Sequence, residues 1–145
     1  MKKRILVLIL ILLVLAQFKR IDKTNPSITP EQDFFSVVNA PDAIQVQIRT
    51  SCYDCHSLET TYPWYSTIAP LSWWLADHVE EGRSHVNFST WGALNEEKRA
   101  HTLEECAEVL EEKEMPMLPY MIAHRKAWID DEQRAELSAF FTSLE

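Results

Sequence analysis

Apolar positions fall into three kinds of run along the chain. The first is unbroken: every residue from Ile5 to Ala16 is apolar, between Met1-Lys2-Lys3-Arg4 and Gln17-Phe18-Lys19-Arg20. A basic start followed by such a stretch has the form of an export signal. A bilayer span needs about 20 apolar residues, so even Ile5–Phe18 is short for a stable anchor. Val14-Leu15-Ala16 offers a small-residue cleavage site, close ahead of Lys19 and Arg20. Residues 1–20 therefore read as a signal peptide or membrane anchor, either cleaved or kept as a tether. Polar residues and two prolines make 21–30 a linker, which leaves 31–145 as the folded domain.

The second kind of run repeats at helical spacing. Leu103, Cys106, Ala107 and Leu110 fall at i, i+3, i+4 and i+7 behind Asn95-Glu96-Glu97, a capping residue with acids suited to the helix dipole. That helix must end before Pro116. Leu137, Phe140, Phe141 and Leu144 repeat the pattern after Asp130, with Gln133 placed for a capping box. Another helix opens near Pro70 and runs through Trp73, Trp74, Asp77 and Val79 towards Gly82.

The third kind is ambiguous. In Pro41–Thr50, Ile44, Val46 and Ile48 alternate as in a strand, yet Ile44 and Ile48 also share a helix face. No second strand is available for pairing, so helix is the better assignment. The chain has only two glycines, Gly82 and Gly92, too few for a β fold with many tight turns. The predicted fold class is all-α, one small domain preceded by an N-terminal hydrophobic helix.

Charge narrows the function. Residues 21–145 hold nine of the 14 Lys and Arg and all 22 Asp and Glu, a net of −13. A domain so acidic is repelled by nucleic acid and by anionic lipid, and it suits basic partners.

The chemistry is concentrated in Cys52-Tyr53-Asp54-Cys55-His56, a C-x-x-C-H motif. Two thiols at this spacing reach the two vinyl groups on one porphyrin edge, and the next residue offers its imidazole to the iron. The expected cofactor is one haem c, covalent through Cys52 and Cys55, with His56 as proximal ligand. A Cys52–Cys55 disulfide, a thioredoxin-like pair and a zinc site are the competing readings. Each is weaker, because no βαβ pattern and no second spaced ligand pair accompany the motif. Cys106 stands alone and reads as a small core residue.

For the sixth iron position, Met115-Pro116-Met117-Leu118-Pro119 supplies a stiffened loop, and Met115 is the expected ligand. Met117, Met121, His124 or an open position are the alternatives, and His78, His85 and His101 carry little weight. Tyr62-Pro63-Trp64-Tyr65 with Trp73 and Trp74 are expected to wall the haem. Pro63 offers a carbonyl to the second nitrogen of His56, and Arg49, Arg83 and indole N–H groups are candidate propionate partners.

Longer stretches carry a resemblance. Ser51–Ser57, Tyr62–Ser66, Ile68-Ala-Pro70, Glu81–Trp91 and Glu114-Met-Pro116 with Tyr120 resemble the bacterial haem-binding domain family of small cytochrome-c-like proteins, over roughly residues 20–143. The resemblance implies a small cytochrome-c-like helical domain wrapped round one haem, with His56 proximal and Met115 where the family's Met-Pro stands. Gln17-Phe18 and Thr24-Asn-Pro26 look like the family's start and favour a retained anchor. The family implies no particular reaction, and the Arg83–Trp91 block has no assigned chemistry; His85, Asn87 and Trp91 read as a structural loop or a distal-side feature.

The expected function is electron transfer by a monohaem c-type cytochrome on the extracytoplasmic side of a bacterial cytoplasmic membrane. It would be tethered through residues 5–18 or exported, and would serve basic redox partners. The alternative is a peroxidase or small-ligand sensor with an open sixth iron position. Haem storage is disfavoured because thioether attachment is effectively permanent.

Overall fold

Capping chemistry and helical spacing set the elements. The computed structural model describes residues 1–144, which contain eight α-helices: α1 (Lys2–Ala16), α2 (Phe34–Val37), α3 (Asp42–Ser51), α4 (Tyr53–His56), α5 (Leu71–His85), α6 (Glu96–Glu111), α7 (Leu118–Ala123) and α8 (Asp131–Thr142). Short 3-10 turns lie at Pro30–Gln32, Trp64–Thr67, Phe88–Ala93 and Arg125–Ala127. No strand occurs among the described residues, in line with the all-α expectation.

The ambiguous stretch is helical, as α3. Ile44 and Ile48 are buried on one face while Val46 is left exposed. Asn95 caps α6 by accepting the backbone N–H of Lys98 at 2.8 Å. Asp130 and Gln133 form the reciprocal capping box of α8, each side chain accepting the other's backbone N–H at 2.9 and 3.0 Å. α5 runs past Gly82 to His85.

The core is aromatic. Phe34 meets Phe88, Trp91 and Phe35 edge-on with centroids 5.3, 4.9 and 5.1 Å away. Tyr53 stacks on Phe88 at 5.3 Å, so the motif helix α4 is packed directly against this cluster. α6 and α8 lie side by side, burying Leu103, Ala107, Leu110, Leu137 and Phe141.

The apolar N-terminal run forms α1, but it spans 15 residues and none of them is buried. No helix among the described residues is long and apolar enough to cross a membrane. The expectation of a hydrophobic membrane helix therefore gains no support from this fold. The stretch expected to be a linker is fastened at Asn25, whose amide donates to the Thr60 carbonyl at 2.9 Å and accepts from Arg83 Nη2 at 3.3 Å.

Candidate functional site

Cys52 precedes α4, and its carbonyl accepts the backbone N–H groups of Cys55 at 3.2 Å and His56 at 2.9 Å. That single turn brings both thiols and the imidazole onto one wall of a cavity of about 480 Å³. Met115 and Met117 line the same cavity, in the loop between α6 and α7. Phe88, Leu110, Ile129 and Phe141 give it an apolar lining, and Glu81, Glu105, Glu108 and Glu114 are also on its wall.

The His56 ring is oriented by α5. Its Nδ1 lies 2.8 Å from the Gly82 carbonyl and 3.3 Å from that of Val86. Carbonyls only accept, so Nδ1 carries the hydrogen. Burial holds the imidazole below its ordinary pKa, against the two carbonyl hydrogen bonds, and keeps it neutral. A neutral ring that donates from Nδ1 has its lone pair on Nε2, the state a metal requires. Pro63 was the expected partner; Gly82 and Val86 take that role because α5 lies against the motif. The approach is close enough that a Cβ on Gly82 would stand 2.9 Å from the Cys55 carbonyl oxygen.

Burial pushes the Cys52 thiol up to about 12, with Cys106 and Cys55 adding to the shift. It pushes Cys55 up to about 11. All three cysteines are free. Cys106 lines the same cavity, and burial raises its thiol to about 12 as well. Read from sequence as a core residue, it is in fact both core and cavity wall.

A polar bracket holds the motif from behind. Arg83 donates from Nε to the Ser57 carbonyl at 2.7 Å and from Nη2 to Thr60 Oγ1 at 3.0 Å. Ser89 Oγ accepts the Leu58 N–H at 3.0 Å, and Asn87 caps the turn that carries Ser89. Trp91 is core. The Arg83–Trp91 block thus serves as the motif's rear support, with His85 alone of its three singled-out residues on the cavity wall. Asp54 accepts from Tyr120 Oη at 2.8 Å and from the Thr61 N–H at 2.9 Å, tying α4 to α7.

A model of the haem-binding domain matches residues 11–143. The chain belongs to the haem-binding domain family. No curated protein and no solved structure matches it.

The residues of this haem-binding domain fit that cofactor. Two thiols, an imidazole with Nε2 free and a thioether share one largely apolar cavity, whose size is in the range of about 300–1,000 Å³ usual for ligand sites. Other sequence expectations are redirected. Arg49 stacks on Phe35 and Tyr53 at 5.0 and 4.7 Å and pairs with Asp33 at 3.3 Å, so neither it nor Arg83 lines the cavity. Trp64 is exposed, Trp73 donates to the Lys19 carbonyl at 2.8 Å, and Trp74 and Tyr65 line a smaller side cavity. The aromatic walls are instead Phe88, Phe141 and Tyr120.

Of the alternative ligands, Met121 is packed in the core. His124 is stacked on Tyr120 at 4.4 Å, with its Nε2 2.8 Å from Tyr65 Oη. His101 pairs with Glu105 on the surface. His78 lines the cavity, with its Nδ1 2.8 Å from the Trp74 carbonyl.

Sequence reading missed Arg134. This residue is buried on α8, its Nη1 donates to the Met115 carbonyl, and its Nε has no partner. With Lys113 in the left-handed region at φ 62°, Glu114 and Met115 both donate their N–H to the Val109 carbonyl at 3.0 and 3.1 Å. A lone Arg inside an apolar helix stripe was the available signal.

Proposed function

We propose that this domain is a monohaem c-type cytochrome that transfers single electrons. Cys52 and Cys55 would bind haem as thioethers, His56 would be the proximal ligand and Met115 the distal one. One observation carries the reading: His56 donates from Nδ1 to Gly82, so Nε2 is free in the same cavity that receives both thiols and Met115. When bound, haem iron supplies reversible one-electron chemistry. The chain's own residues do the rest. The S–H of each cysteine adds across a vinyl group, the Gly82 and Val86 carbonyls fix the imidazole, and the loop held by Val109 and Arg134 presents the thioether. Apolar walls exclude water and favour the reduced state.

We place the protein on the extracytoplasmic side of a bacterial cytoplasmic membrane, since c-type attachment occurs outside the cytoplasm and the Ile5–Ala16 run follows a basic start. Residues 5–18 would serve as its tether.

The test is expression with a haem-attachment system, followed by a haem-stained denaturing gel and absorption spectra of the native chain and Met115→Ala. Haem retained on the denatured chain, with a low-spin spectrum and a far-red sulfur-to-iron band that Met115→Ala abolishes, is the expected result. Retained haem with a high-spin, ligand-accessible native spectrum moves the function to peroxide or small-ligand chemistry. No retained haem overturns covalent attachment.

A further inference from the structure

Neither Thr60–Ala76 nor Met115–Ala123 contains a Lys, Arg, Asp or Glu. In a sequence where 25% of residues are charged, such gaps need a reason, and the fold brings them together. Tyr65, Leu71 and Trp74 from the first stretch and Met117, Pro119 and Ala123 from the second line one apolar cavity of about 210 Å³. On the same elements, apolar side chains are left in the open. Trp64 is 76% exposed, Leu71 50%, Trp74 40%, Leu118 57% and Ile122 65%.

α1 is fastened to this surface. The Gln17 amide donates to the Ala69 carbonyl and accepts the Ala69 N–H, both at 3.0 Å. Trp73 donates to the Lys19 carbonyl at 2.8 Å, and the Lys19 ammonium sits 5.4 Å from the Trp73 ring centroid. A helix that is apolar from Ile5 to Ala16 and has no buried residue therefore ends on the uncharged face, and whatever medium takes up the helix meets that face next.

We propose that this face lies at the polar–apolar boundary of a lipid bilayer, with α1 inserted beneath it. The proposal rests on the reading of residues 5–18 as a tether. Helix length limits how α1 can insert. The 15 residues of α1 rise about 1.5 Å each, roughly 22 Å in all, against about 30 Å of hydrocarbon. A helix that short needs its domain drawn inward, and interfacial elements settle about 5–10 Å into the boundary. Trp64 and Trp74 are the residue type that prefers this depth. Lys19 lies beside Trp73, and Arg125 and Lys126 follow the second stretch in the sequence, supplying headgroup-seeking charge. None of the 22 acidic residues lies within either stretch; the Asp54 carboxylate meets both, accepting from the Thr61 N–H and from Tyr120 Oη.

The test uses the full-length, haem-loaded chain containing 5-fluorotryptophan, in its ferrous state, with phosphatidylcholine nanodiscs carrying a gadolinium-chelating lipid. Fluorine resonances are assigned by single Trp→Phe replacements. The expected result is loss of the Trp64 and Trp74 lines to broadening while the core residue Trp91 keeps its line. A chain bound to the discs whose Trp64 and Trp74 lines match Trp91 overturns the proposal and leaves the tether intact. So does burial of this face by self-association or by a protein partner that keeps it off the lipid. A chain that does not join the discs at all overturns the tether reading and the proposal with it.

Discussion

Gly82 shows how one missing side chain sets the site. Alanine suits a helix interior better than glycine by about 1 kcal/mol, yet a Cβ here would press on the Cys55 carbonyl oxygen at 2.9 Å, a backbone atom that cannot swing aside. Overpacking of that kind costs about 1–3 kcal/mol and prevails. Gly82→Ala is thus expected to lower the denaturation midpoint of the haem-loaded protein. It should also shift the reduction potential, because the carbonyl that fixes His56 moves with it; an unchanged potential would remove Gly82 from the proximal support. Cys106 gives a second residue-level test. Burial raises its thiol from 9.0 to about 12. The folded chain then holds that proton where the unfolded chain releases it, so the contribution to stability is complete below pH 9 and is lost as pH rises from 9 towards 12. With Cys52 and Cys55 taken up as the proposed thioethers, Cys106 is the last thiol able to titrate. Cys106→Ala should flatten the alkaline fall in stability, leaving the part due to Tyr53 and Tyr120, whose pKa values burial also raises. A slope that Cys106→Ala leaves untouched would mean the thiol is solvated.

Helix α8 joins local sequence to the distal side of the cavity. Its capping box satisfies two backbone N–H groups, and its inner face carries Arg134, Leu137 and Phe141 to the Met115 loop and the cavity wall. Asp130→Ala is expected to cost about 1 kcal/mol in thermal or denaturant unfolding. It should also weaken the sulfur-to-iron band on heating before the bulk of the helix signal is lost, since Arg134 lies in the first turn. Melting of both signals together would show that the cap does not reach the loop. The longer elements were legible, while the short helices α2, α4 and α7 were not anticipated. Spacing gave α6 and α8, their caps gave the starts, and the absence of a partner strand decided α3. The contacts between elements were less so. Periodicity says which face of a helix turns inward but not what it meets there, which is why Cys106 read as simple core. Trp64 and Trp73 read as a haem wall on their type alone, whereas Arg134 stood out only as a lone Arg in an apolar stripe, with nothing to show that its partner is a backbone carbonyl 19 residues away. The motif Cys52–His56 was the easiest to read because all its chemistry lies within one turn. Its proximal support was hidden because it comes from α5.

The molecule as a whole is electrically lopsided, and that asymmetry has kinetic consequences for the proposed electron transfer. The two uncharged stretches border the side cavity, while Glu81, Glu105, Glu108 and Glu114 stand on the wall of the main one. A negative rim around a low-dielectric cavity concentrates the field where a basic partner would have to approach. Opposite charges raise the encounter rate more than the strength of the final complex, and salt screens them within about 8 Å at physiological ionic strength. Electron exchange with a small basic redox protein should therefore slow steeply as salt is added. The rim and the remaining acidity can be told apart. Glu96 and Glu97 open α6, twelve and eleven residues from Glu108 and so about 16–18 Å away along the helix. Stopped-flow rates across an ionic-strength series should show a shallower salt dependence and a lower low-salt rate for Glu108→Gln/Glu114→Gln, and little change for Glu96→Gln/Glu97→Gln. Equal effects from the two pairs would mean that net charge alone steers the partner. No salt dependence in the parent chain would mean that the partner docks elsewhere, and the acidic rim would then have no part in electron delivery.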